Sequence, residues 1–272
     1  MLAPVLGGWL TDNYSWRWVF YINVPFGILA ALLIVAYLRE TSRRRSSFDF
    51  FGFAALSLAV GALQIVLDRG SLKDWFGSTE IWIEASVALL GLYWFLVHTW
   101  TTREPFVSPK LFRDRNFTVG NMLMLVISMV LFATLALLPP LMENVLGYPV
   151  LTAGIAMAPR GAGSFLAMFL GGRLIGRVDS RVLIAVGLAI AAGSLWSMAN
   201  DFSLQIPQML IWGETFVQGL GIGLTYVTIT TVAFGTLGRH ERSEGTSIFN
   251  LLRNVGSSIG IAGTSALLTY NT

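Results

Sequence analysis

The chain contains no cysteine and only two histidines. Neither a disulfide framework nor a thiolate metal site is therefore available, and two isolated imidazoles argue against a zinc centre. Charge is scarce as well, at 12% of 272 residues against 54% hydrophobic. Soluble domains carry about twice that share of charge. The stretches expected of a membrane-embedded enzyme are absent: no HExxH, no paired His/Asp ligands and no Ser/Lys dyad within an apolar run. No pore loop or charged ring repeats, as a channel would require. The formal charge of +3 comes from basic residues confined to particular loops, which argues against nucleic-acid binding. Met1 to Leu10 lacks a basic leader region. It would reach only about 15 Å as a helix, so Met1 reads as a truncation point rather than a biological start.

What is present is a series of long apolar runs. A short stub is followed by eight expected spans at about 17–38, 50–67, 81–101, 117–142, 151–172, 182–199, 207–236 and 246–269. Each is near or above the roughly 18 residues that cross a hydrocarbon core. The distribution of basic residues then orients them. Arg39, Arg43, Arg44, Arg45, Arg103, Lys110, Arg113, Arg115, Arg173, Arg177, Arg181, Arg239 and Arg242 fall in loops on one side, thirteen in all. Arg17, Arg69 and Lys73 are the three on the other. The richer side is expected to face the cytoplasm.

The most distinctive stretch is WLTDNYSWRWVFYINVPFG, Trp9 to Gly27. A polar loop is expected over Thr11 to Ser15, and Trp16, Arg17 and Trp18 suit the lipid headgroup zone. Asn23 and Pro25 lie inside the following run, where a carbonyl freed by proline must find a partner. Before it, Pro4, Gly7 and Gly8 belong to a small-residue segment expected to let another helix approach closely. Ala3-Pro4-Val5-Leu6-Gly7-Gly8 followed by WRWVFYINVPFG resembles the junction of helices five and six in the fourteen-helix drug:proton antiporters, the EmrB/QacA type of the major facilitator superfamily. The family's usual Gly-Pro is Ala3-Pro4 in this chain.

That resemblance implies an all-α polytopic membrane protein with an incomplete major facilitator fold, a stub plus eight transmembrane helices. It assigns residues 1–45 to the end of the N-terminal helical half and the start of a cytoplasmic linker. Residues 46–115 become two extra linker helices, and 116–272 the C-terminal half without its last helix. The outward loop Leu67 to Ser78 reads as a solvated turn and is also similar to the family's signature after the first extra helix. Gln64 and His98, near the ends of these helices, are expected to snorkel or to bond locally.

Within the spans, Leu138-Pro139-Pro140-Leu141 should kink or end its helix. Gly172 to Arg181 resembles the superfamily's cytoplasmic loop motif. Gly172, Arg177 and Arg181 match, while Gly176 stands at the motif's Asp and Asp179 at its Gly. No strand precedes it, which rules out a dinucleotide loop. The uncharged run 182–199 is expected to face lipid. Arg160 and Glu214 lie about 10–14 Å below the outer surface by the helical rise, and Arg253 about 12 Å from the inner one. A lone charge at such depth costs about 2.5–3.5 kcal/mol, so each should face a partner or a wet cavity.

Arg160, Glu214, Gln218, Asn121, Asn250 and Arg253 are therefore the candidates for a substrate and proton pathway, with Glu214 expected within reach of Arg160, directly or through water. The resemblance implies proton-coupled export of small hydrophobic or cationic compounds from a bacterial cytoplasmic membrane. The proton gradient would supply the energy, without a cofactor. It also implies a periplasmic adaptor and an outer-membrane channel as partners. A carrier for another substrate class (siderophore, sugar or lipid) and a non-transporting fragment remain open.

Overall fold

The computed structural model describes residues 3–37, 48–203, 206–238 and 241–271, and every extended element among them is helical. Arg39, Arg43, Arg44, Arg45 and Arg239 lie outside the described residues. Among the described residues ten α-helices follow in order: α1 Ala3–Asn13, α2 Trp18–Tyr21, α3 Asn23–Tyr37, α4 Phe50–Arg69, α5 Thr79–Thr101, α6 Arg115–Pro140, α7 Val150–Leu174, α8 Ser180–Asp201, α9 Gln208–Gly235 and α10 Glu241–Asn271. Among the described residues, seven helical stretches are long and apolar enough to cross a membrane, and they correspond to the first seven expected spans. The eighth, α10, is a continuous helix of 31 residues that does not meet that standard of apolarity. Glu241, Arg242, Glu244 and Arg253, with many Ser, Asn and Gly residues, keep it polar.

Several local expectations change. Thr11 and Asn13 are not loop residues, because α1 runs through them. Their side chains donate to the carbonyls of Gly7 and Trp9 one turn back, so the polar atoms are satisfied within the helix. The next span is broken at Ile22 into α2 and α3. Pro25 fits the first turn of α3, where a missing N–H costs least, and Asn23 Nδ2 donates to the Val19 carbonyl at 2.9 Å. The two prolines of α6 end its α-helical part at Pro140, yet the chain continues as a π turn, Leu141–Val145. Proline removes a donor from the regular ladder, and the wider turn supplies a bond from Leu146 N–H to the Leu141 carbonyl instead.

Contacts divide the chain into two units. One comprises Met1–Ser46, Pro139–Arg177 and Ala185–Thr225; the other comprises Ser47–Leu138, Val178–Ile184 and Tyr226–Thr272.

In the first unit α1 packs against α7. Gly7 is not the contact that the small-residue reading expected, since a Cβ there would meet nothing within 4 Å. Of Pro4 and Gly8 only the helical backbone is described. Trp16, Arg17 and Trp18 are exposed. Arg17 lies 5.6 Å from the centre of the Trp16 ring, and Trp18 makes a tilted contact with Tyr14 and an edge contact with Tyr21.

In the second unit α4 and α5 form an antiparallel hairpin, with Gly91 against the backbone of Ala55 and Ala59. At its turn, Gly70 must be small because the Trp75 ring lies against it. Glu80 pairs with Arg69 at 2.7 Å and Lys73 at 2.9 Å. At the other end Asp49 caps α4, accepting from the amides of Gly52 and Phe106, both at 2.9 Å, and pairing with His98 Nε2 at 2.8 Å. His98 bonds locally, its ring 3.3 Å from Thr102 Oγ1 one turn on, and it also ties the end of α5 to the start of α4. Gln64 also reaches beyond its own helix, accepting from Ser258 of α10 at 2.7 Å. An apolar cluster of Ala55, Phe95, Val107, Leu111, Phe117, Leu237 and Ile248 closes this region.

Candidate functional site

The first unit contains the buried ionisable groups. Pro159 gives α7 no amide at that position, and the next residue, Arg160, is only 4% exposed. Helix α9, which packs on α7, carries Glu214, 7% exposed, and Gln218, fully buried. Glycine allows this approach: a Cβ on Gly163 would collide with the Phe216 carbonyl, and one on Gly219 with the Arg160 carbonyl. A Cβ on Gly223 would stand 2.5 Å from the Ser164 carbonyl. Ser164 Oγ donates to the Gly219 carbonyl at 3.0 Å, and Thr215 Oγ1 lies 3.4 Å from the Ala156 carbonyl.

Residues 156, 160 and 164 thus meet 215, 219 and 223, a constant offset of 59 positions. Helices α7 and α9 therefore run parallel, as two spans entered from the same side must.

Helix α8 packs on the other side of α9 in the antiparallel sense. Gly187 meets Thr225, Gly221 meets Ala191, and Ser197 meets Glu214. One side of the uncharged run therefore packs on α9. The direct Arg160–Glu214 pairing is not formed. Glu214 Oε1 instead accepts from Ser197 Oγ at 2.7 Å, and the same hydroxyl lies 2.8 Å from Asp201 Oδ2.

Asn121, Asn250 and Arg253 belong to the second unit. Asn121 is buried and donates to the Phe117 carbonyl at 2.8 Å. Asn250 is exposed and Arg253 half-buried. Gly256 and Gly260 of α10 press on the carbonyls of Leu125 and Met129 of α6, so this small-residue face is a helix–helix seam. In the loop motif, Gly176 adopts φ +90, a turn conformation that favours glycine. Gly172 and Arg177 flank that turn, and Arg181 N–H donates to Asp179 Oδ1 at 2.8 Å, which makes Asp179 a helix cap.

Two carboxyl groups outside the spans are set by local hydrogen bonds. Burial would raise Asp49, but the Gly52 amide, His98 and the Phe106 amide outweigh it and hold the group below its ordinary value. Asp114 is lowered chiefly by the Phe117 amide, against some burial, with help from Thr236 and the Asn116 amide.

Ser197 and Asp201 carried no signal in hydropathy, although their spacing of four places both on one helix face. Asp49 could have been found, since an aspartate directly before the first residue of an apolar helical run is a capping signal.

The sequence profile of the Major Facilitator Superfamily matches residues 1–261. The chain is 34% identical over 269 residues to the multidrug export protein EmrB of Escherichia coli, covering 98% of this chain and 52% of that protein. It is 34% identical to the fatty acid resistance protein FarB of Neisseria gonorrhoeae, covering 98% and 53%. It is 28% identical to the colistin resistance protein EmrB of Acinetobacter baumannii, covering 100% and 53%. The chain spans about half the length of these relatives. With that match across most of its length and seven membrane-capable helices, the chain is a multi-pass membrane protein of the Major Facilitator Superfamily.

Proposed function

We propose that the chain belongs to a carrier that exports small hydrophobic or cationic compounds across the bacterial cytoplasmic membrane by alternating access, in exchange for protons. The observation that carries this reading is the packed set α7, α8 and α9, in which Arg160, Glu214 and Gln218 are almost fully buried. Ionisable groups are costly in such helices and characteristically belong to substrate or proton routes. The likeness to export proteins named for multidrug resistance supports the same reading. Residues 46–115 then form the inserted helix pair and 116–272 belong to the C-terminal half. A periplasmic adaptor and an outer-membrane channel are the partners this reading calls for. It needs only the proton gradient, without a cofactor.

A second reading, a carrier of fatty-acid-like anions, draws on the FarB likeness and on buried Arg160, a cation suited to a carboxylate. Substitution separates the two. Expressed within its entire reading frame, Glu214→Gln should reduce efflux of cationic dyes more than of neutral ones at unchanged expression. If efflux of fatty acids falls with Arg160→Gln while dye efflux is never observed, the second reading replaces the first.

A further inference from the structure

The bonding around Ser197 has more acceptors than hydrogens. Its Oγ lies 2.7 Å from Glu214 Oε1 and 2.8 Å from Asp201 Oδ2, yet a serine hydroxyl has one hydrogen to donate and otherwise only accepts. If both carboxyls were ionised, one of these short contacts would set lone pairs against lone pairs. A proton on either carboxyl resolves this: that group donates to Ser197, and Ser197 donates to the other. The three groups also form a graded sequence, with Asp201 exposed at the end of α8, Ser197 half-buried and Glu214 buried. Glu214 Oε2 is itself buried and accepts no hydrogen bond from the described residues. A second oxygen of a 7% exposed carboxylate is thus left uncompensated in the ionised state, which is costly, and is relieved when the group is neutral.

We propose that Asp201, Ser197 and Glu214 form a proton-loading chain in which exposed Asp201 passes a proton through the Ser197 hydroxyl to buried Glu214. A proton from water binds Asp201. The Asp201 O–H bond then breaks as a new O–H bond forms at Ser197 Oγ. The original Ser197 O–H bond breaks in turn as its proton joins Glu214 Oε1. Asp201 ends ionised, Ser197 unchanged and Glu214 neutral, so the pair moves from two negative charges to one. The other charged residues on the packed helices are Arg160 and Arg173 of α7 and Arg181 of α8; on α9 the other titratable side chain is Tyr226. The inference relies on the proposed export only for what the proton is used for; the binding of the proton stands on this geometry alone.

Infrared difference spectroscopy of the purified protein in lipid, after a jump from alkaline to neutral pH, tests it without substrate or gradient. A carbonyl band of one buried protonated carboxyl should appear and be missing in Glu214→Gln. In Ser197→Ala it should appear on the order of 10²-fold more slowly, the scale of one positioned proton-transfer group, and Ser197→Thr, which keeps the hydroxyl, should restore the rate. Asp201→Asn should slow it likewise. A band unchanged in Glu214→Gln, or loading at the original rate in Ser197→Ala, would overturn the proposal. Failure of dye export with an intact band would instead count against the transport reading.

Discussion

At Asp49 three donors converge on one carboxylate: the amide of its own helix start, the amide of Phe106 and the ring of His98. One residue thereby caps α4, fixes the end of α5 and anchors the segment that follows it. Asp49→Ala leaves these donors without an acceptor and should cost about 2 kcal/mol of stability, as loss of a cap with a buried partner does. The pH dependence has a definite sign. Because the native carboxyl titrates below its ordinary value, its contribution is complete above that value and is lost as the pH falls through the lowered native one. The melting temperature of the protein should therefore fall on acidification below about pH 4, and the fall should be shallower in Asp49→Asn, which is already less stable at neutral pH. Equal acid sensitivity in both proteins would show that Asp49 contributes no linked protonation.

Among the elements, the parallel pair α7 and α9 depends on missing side chains. A leucine at Gly219 would have to displace the backbone at Arg160, and overpacking of this kind typically costs about 1–3 kcal/mol. Gly193 of α8 supplies the control, because a Cβ there meets nothing within 4 Å. Gly219→Leu should lower the melting temperature and Gly193→Leu should leave it nearly unchanged. Similar effects at both sites would mean that the seam is not close-packed.

The spans themselves were legible because a nearly uncharged apolar run of about 20 residues matches the thickness of a bilayer core and satisfies its own backbone there as a helix. The break at Ile22 was not legible, because Pro25 sits in the first turn of α3, where proline is tolerated and signals no interruption. The π turn after Pro140 was not legible, since it answers a local shortage of donors that can be met in several ways. Arg160, Glu214 and Gln218 stood out as polar residues in apolar runs. Their partners did not: Ser197 is a small hydroxyl in a run of alanine, glycine and leucine, and it joins Glu214 only once α8 and α9 lie antiparallel. Asp49 and His98 are 49 positions apart, and only the hairpin brings them together.

On the scale of the whole molecule, orientation rests on the thirteen-to-three distribution of basic residues. The lack of native cysteine lets a single introduced thiol report it. Ser46→Cys should be shielded from impermeant reagents added outside intact cells, and Ser71→Cys should be labelled; the opposite pattern would invert every loop. Coupling of proton movement to export, through helices such as α7 and α9, is probed by imposing a pH gradient. Vesicles containing the protein expressed from its entire reading frame are loaded with a cationic dye and given an opposing proton gradient. The dye should move against its own gradient, and that movement should collapse when a protonophore abolishes the pH difference. Dye movement of equal rate with and without the gradient would contradict proton-coupled export.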